Sequence, residues 1–383
     1  MATKLKSKVT RIPVTSGATE LDSFIHNLAS SVNKTLQKTT ENTLMMGDND
    51  NENMHVPFWV LTHIPALDYA IGGIYHPGIP VSRIIEVYGA EGSGKSTLST
   101  WIAKRAMEQL KTFVVYQDAE RVLTDEIIEG TKLDMSHVIL QHPDVLEEVF
   151  DSQQAILDEL EKMKSKRPMV MILDSVASCS TRSEIEGDYG DSTMGIHARI
   201  MSQALRKIKS PIFNNNVLSL FVNQIRDKMN VSWGAKTETF GGKALKFYAS
   251  VRLELAKIKT LKSGENPPYG CTIQVTVIKN KVAPPLKKAT FDILFIQKDG
   301  GSYPMIDYIG AVLDWCKSND IIGGAKGKYE LNDKSYYKNA ARAYLEEHPD
   351  ELQDLIDKSY SVTKKEDDSE ESEESNESDD DKD

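Results

Sequence analysis

Short apolar runs recur through the middle of the chain, at residues 84–88, 112–117, 138–141, 169–173, 218–223, 251–256, 272–278 and 290–295. Between the early runs the apolar positions spread to helical spacing, as crossovers between parallel strands require. The last three runs follow one another closely, which favours antiparallel pairing at that edge. The pattern predicts an α/β protein built on a mainly parallel twisted sheet flanked by helices. Residues 19–38 read as an amphipathic helix with Leu21, Phe24, Ile25, Leu28, Val32 and Leu36 on one face, followed by a polar link. Helical patterns at 306–317 and 336–346, with Gly323-Gly324 between, mark a small α+β C-terminal domain. The expected domains are 1–55 (basic segment, helix and linker), 56–300 (core), 301–360 (small domain) and 361–383 (disordered acidic tail).

Charge changes this picture only at one end. Residues 366–383 hold 12 carboxylates and one lysine, so they carry the whole formal charge of −11 and the rest of the chain sums to zero. Such a run is either a solvated end or a decoy that competes with nucleic acid for basic surface. A composition 40% hydrophobic and 27% charged is that of a globular protein. The three cysteines are far apart and form no metal or disulfide spacing, which fits a reducing, cytoplasmic setting. No apolar stretch approaches a membrane span, and the basic N-terminus lacks the apolar core of a signal peptide.

Chemistry enters with Gly89-Ala-Glu91-Gly92-Ser93-Gly94-Lys95-Ser96-Thr97, set between an apolar run and a helix-like stretch. Glycines let successive N–H groups turn around phosphate oxygens, and the helix start favours the same anion. Lys95 suits the β/γ-phosphates and Ser96 a Mg²⁺ ion, so the segment predicts a nucleoside triphosphate. The run 169–173 ends in Asp174, a candidate second Mg²⁺ anchor acting through water. Another run ends in Asp118-Ala-Glu120, and Glu120 is the candidate for orienting an attacking water, or else an acid that merely opens a helix. Lys279 and Lys281 follow a strand and point to one side of it. They suit a developing γ-phosphate charge, or else guard a sheet edge.

Two further segments suit nucleic acid. Gly187, Gly190, Met194 and Gly195 lead into a helix with Arg199, Ser202 and Arg206 on one face. Arg226 to Lys246 includes Lys228, Met229, Trp233, Gly241, Gly242 and Lys243. Cations give backbone affinity, and Met or Trp can stack on bases or wedge between them. Two ordinary surface loops would show much the same composition.

From about residue 64 to 295 the chain resembles the RecA family of homologous recombinases. The stretches that carry the resemblance occur in family order: Glu86-Val-Tyr-Gly89 with Gly94-Lys-Ser-Thr97, Asp118-Ala-Glu120, Asp174-Ser-Val-Ala177, Gly190-Asp-Ser-Thr-Met-Gly195, Val222-Asn-Gln-Ile-Arg226, Gly241-Gly-Lys-Ala-Leu-Lys-Phe-Tyr-Ala-Ser-Val-Arg-Leu253 and Lys279-Asn-Lys281. The resemblance implies a RecA-like P-loop ATPase core and an N-terminal helix arm that packs on the next subunit. It also implies a helical filament on single-stranded DNA with ATP and Mg²⁺ between subunits, pairing with homologous duplex, recombinational repair, an SOS role and possible cleavage of a repressor. It makes Glu120 the catalytic acid, Gln224 the γ-phosphate sensor, and Lys279 and Lys281 donors to a neighbour's ATP. Met194, Gly195, Arg199, Ser202 and Arg206 match the first DNA loop, and Arg226, Met229, Gly241, Gly242 and Lys243 the second. The sequence departs from the family at Ile127, where an aromatic usually meets adenine, at Asp227 in the second loop, and at Gln274 and Thr276, where basic residues serve duplex capture. Lys257, Lys259 and Lys262 compensate in part. Alternatives are a ring-forming helicase or motor with the same core, and an ATP-gated scaffold for repressor cleavage.

Overall fold

The computed structural model describes residues 56–188, 195–227, 237–298 and 301–361, together with Val32. Apart from Val32, the helix expected at 19–38 lies outside the described residues, as do the acidic run 366–383, Met194 and Met229. The chain divides into two units, Met1–Pro57 and Phe58–Asp383, and the fold below is that of the second.

Its strands are β1 (Trp59–Val60), β2 (Ile79–Pro80), β3 (Ile84–Gly89), β4 (Val114–Asp118), β5 (Val138–Gln141), β6 (Met169–Asp174), β7 (Val217–Asp227), β8 (Thr237–Thr239), β9 (Val251–Leu261), β10 (Gly270–Asn280), β11 (Lys288–Lys298), β12 (Gly301–Ile306), β13 (Lys328–Leu331) and β14 (Lys334–Tyr337). The main sheet runs β12-β11-β10-β9-β3-β7-β6-β4-β5, with β8 added to the end of β7. All pairs from β9 to β5 along this order are parallel, and β9 to β12 are antiparallel. Every apolar run read from the sequence is a strand, and the last three pair as expected. β12 was not anticipated, because Gly301-Ser-Tyr-Pro304 has poor strand character. It sits at the sheet edge, where a proline costs no ladder bond.

The central strands β3 and β6 are buried at every position. Their continuous apolar character follows from helices covering both faces. Alternate residues feed opposite layers. Val87, Tyr116, Ile172 and Leu220 pack on Leu98, Trp101 and Ile102 of the helix Lys95–Leu110. Val115, Met171, Leu173 and Phe221 pack on the helices Leu146–Lys162 and Ile196–Asn214.

A third cluster, including Val312, Leu313, Tyr329, Leu345 and Leu355, joins the helices Tyr308–Ser318, Lys338–Glu347 and Pro349–Ser359 to the β13–β14 hairpin. The last of these helices was also unanticipated. Tyr69 stacks on Trp315 at 4.9 Å. The Tyr360 hydroxyl donates to Asp68 at 2.5 Å, fastening the end of this unit to the core. Burial pushes the Asp68 carboxyl up to about 7, against the pull of its Tyr360 and Thr62 donors.

The parallel register brings the carboxyl ends of four strands to one rim, with Gly89 beside Gln224 and Asp118 beside Asp174. Ligands of such sheets bind at that rim.

Candidate functional site

The segment 89–97 turns from β3 into the helix Lys95–Leu110 as expected. Gly92 and Gly94 take φ of +66° and +81°, which side chains other than glycine rarely accept. A Cβ at Gly89 would lie 2.2 Å from the Leu255 carbonyl, so the strand end has no room for one. No side chain caps the helix N-terminus and its first turn has no acid, which leaves its N–H groups free for an anion. Lys95 is buried, and its Nζ donates to the Ala90 carbonyl at 2.8 Å, folded onto its own loop. Burial pulls its pKa down, and Asp174, Glu120 and Glu91 pull it back up.

Asp174 lies across the rim from this lysine. Its Oδ2 accepts from the Tyr116 hydroxyl at 3.1 Å. Its Oδ1 is buried without a hydrogen-bond partner. Burial pushes the carboxyl up to about 6, opposed by Ser96 and Tyr116. A cation or its bound water would relieve this orphaned oxygen, so Asp174 and Ser96 fit the Mg²⁺ of a nucleotide complex.

Glu120 stands on the turn after β4. Asp118 shapes that turn by accepting from the Val122 and Leu123 amides, each at 3.0 Å. The Glu120 carboxylate accepts from Ser175 Oγ at 2.8 Å and Ser178 Oγ at 3.3 Å. It also accepts from Gln224 Nε2 at 3.2 Å. The candidate water-orienting group and the candidate phosphate sensor are thus in direct contact, although 104 residues separate them. The sequence alone marks no role for Tyr116, Asp118 or Ser175. Only the doubled acid at the end of β4 offered a signal for one of them.

Gln224 is held from behind. Its N–H donates to Asn223 Oδ1 at 2.9 Å. Asn223 Nδ2 donates to Glu86 Oε1 at 2.9 Å and to the Phe240 carbonyl at 3.0 Å. Arg252 Nε completes the set on Glu86 Oε2 at 2.5 Å. This buried pair is satisfied by neighbours on three strands, so it specifies how those strands meet. The sequence marks no such role for Asn223 either.

The two loop regions meet beside Gln224. Gly195, with φ of +86°, opens the helix Ile196–Asn214. Arg199 and Arg206 are exposed on that helix and Ser202 is half-buried. Gly241 and Gly242 have φ of +81° and +74° and cross over the helix start, where a Cβ at Gly242 would come within 2.9 Å of Ala198 Cβ. Ser202 and Lys243 line one cavity of about 470 Å³ together with Phe247 and Tyr248. Arg226, near the end of β7, lies over the Phe240 ring at 4.3 Å. Ser202 and Lys243, one from each candidate loop region, therefore share one surface.

Lys279 and Lys281 stand away from the rim that holds Gly89. Lys279 pairs with Arg252, which pairs with Glu86, three residues short of Gly89. That places it roughly 10 Å back along the sheet and about 10 Å to the side. Its Nζ donates to the Lys246 and Phe247 carbonyls at 2.6 and 3.0 Å. Burial lowers its pKa, as do Lys281 and Arg252. Lys281 is exposed.

A family model described as the RecA N-terminal domain matches residues 25–299. The chain belongs to the RecA family. Similar RecA family members include Protein RecA of Streptomyces coelicolor, 40% identical over 309 residues, or 80% of this chain and 77% of that protein. Protein RecA of Crocosphaera subtropica is 38% identical over 285 residues, covering 74% and 76%. That of Synechocystis sp. is 38% identical over 286 residues, with the same coverage. Among the described residues no helix is long and apolar enough to cross a membrane.

Proposed function

We propose that this chain is a cytoplasmic DNA-dependent ATPase of recombination and repair, which polymerises on single-stranded DNA and pairs it with homologous duplex. The observation that carries the reading is the Gln224–Glu120 hydrogen bond. It ties the rim that suits a triphosphate to the strand from which the second candidate DNA loop departs.

In this reading the N–H groups of 89–95 bind the β/γ-phosphates, and Lys95 exchanges the Ala90 carbonyl for phosphate oxygen. Ser96 and Asp174 would hold Mg²⁺, which would neutralise phosphate charge. Glu120 orients a water on the γ-phosphorus and takes its proton as the bond to the β-phosphate oxygen breaks, giving ADP and phosphate. Gln224 reports the γ-phosphate by shifting its amide between that group and Glu120. Arg199, Arg206, Arg226 and Lys243 supply backbone contacts to the single strand.

Electron microscopy with single-stranded DNA tests the reading. Helical filaments are expected with a non-hydrolysable ATP analogue and short or absent ones with ADP. Closed rings, or bare DNA under both conditions, would defeat it.

The sheet register supports donation of Lys279 and Lys281 to a neighbour's nucleotide, because their own loop lies out of reach. Lys279→Ala subunits mixed with wild type are expected to depress turnover more than in proportion to their share. A linear decline in the mixing titration would assign these lysines to their own subunit.

A further inference from the structure

Phe240 occupies a position that neither the motifs nor the proposed chemistry explains. Its main chain is tied to the end of β7 at two points. Its N–H donates to the Gln224 carbonyl at 3.2 Å, and its carbonyl accepts from Asn223 Nδ2 at 3.0 Å. Its ring faces two ways. Arg226, at the start of the second candidate loop, lies over it at 4.3 Å. His197, in the first turn of the helix that follows the first candidate loop, meets it edge-on at 4.4 Å and 70°.

His197 has no other anchor of this kind. The residue is buried, and its ring nitrogens lie by the main chain of Val176 and Cys179 without a well-formed hydrogen bond. Burial holds its pKa down, against the Glu184 and Glu147 carboxylates and the main chain at Val176 and Cys179. Gly241 continues the contact, since a Cβ there would lie 3.6 Å from His197 Cε1 and 3.4 Å from Met201 Cγ.

We propose that Phe240, with His197, is a positioning pair that clamps the roots of the two strand-binding segments together and to Gln224, so that both respond to the nucleotide as one body. The proposal rests on the function given above. The warrant is connectivity. Gln224 holds the Phe240 main chain through its own carbonyl and through Asn223. A shift of the Gln224 main chain therefore moves the ring, and the ring presses on one residue from each root. Two aromatic contacts of this geometry are attractive in their own right, so the clamp closes without help from DNA. Neither side chain hydrogen-bonds to Lys95, Asp174, Glu120 or Gln224, so loss of the pair is expected to leave ATP binding and chemistry intact.

The test uses full-length protein and a fluorescent oligothymidylate, with affinity measured in a non-hydrolysable ATP analogue and in ADP. Wild type is expected to favour the triphosphate state, and Phe240→Ala to shrink that ratio by about fivefold or more, the size of a lost coupling between sites. Turnover without DNA stays at the wild-type value in the same variant, which reports an intact fold and nucleotide site. Phe240→Tyr, which keeps the ring, restores the ratio. His197→Ala shows the same loss, and the double variant is no worse than either alone, because one clamp is broken in each. A ratio within twofold of wild type in both single variants would overturn the proposal. Should Phe240→Ala prove unstable, His197→Ala alone decides it. A wild-type protein without nucleotide-dependent DNA affinity would instead defeat the functional reading, and the clamp with it.

Discussion

Replacing Lys95 with alanine is expected to lower kcat for ATP by at least about a hundredfold and to abolish filament growth in ATP. The amine is buried at the start of the helix Lys95–Leu110 and is the cation closest to where the phosphates would bind. Its present partner, the Ala90 carbonyl, also accepts from Ser93 Oγ at 2.7 Å, so the loop keeps its shape without it. Thermal denaturation should therefore change little while turnover collapses. Lys95→Arg is not expected to rescue, because a planar guanidinium does not substitute for a compact ammonium in a buried site. Filaments of normal length from the alanine variant in ATP would contradict the assigned role.

Glu120→Gln is expected to cost about 10²- to 10⁴-fold in kcat, the usual contribution of a positioned base. The amide is nearly isosteric, and the Ser175 and Ser178 hydroxyls can accept from it as readily as they donate to the carboxylate. Geometry is kept and basicity is lost. The KM for ATP should hold, and filaments on single-stranded DNA should persist longer than in wild type, because the step that releases them is blocked. A kcat within about fivefold of wild type would remove Glu120 from the chemistry.

The sheet and the glycine turn at 89–97 were legible because their signals are local. Buried parallel strands read as unbroken apolar runs, and Gly92 and Gly94 are the residues that a positive φ requires. The edge strand with Pro304 and the helix Pro349–Ser359 escaped. The first is set by its neighbour β11 and the second by the cluster around Leu355, and neither is a property of the segment itself. Within the site, the acids at strand ends were readable, but their supports were not. Tyr116 under Asp174, Asn223 behind Gln224 and Arg252 on Glu86 act across 58, 1 and 166 residues. Asn223 is adjacent to its target and still went unread, since its role comes from Glu86 and Phe240, which only the fold brings near. Donation of Lys279 to a neighbour is what the resemblance implies, and the pairing register, which sets Lys279 back from Gly89, agrees with that proposal.

That register has a consequence for behaviour in dilute solution. If one end of the sheet receives phosphate and the opposite end lends the lysines, a solitary subunit is an unfinished catalyst. Turnover per subunit would climb with protein concentration, and the last subunit at one tip of each polymer would idle for want of a lender. The cell would then hold its stock of free protein without burning fuel, and consumption would begin only where a strand had gathered enough copies side by side.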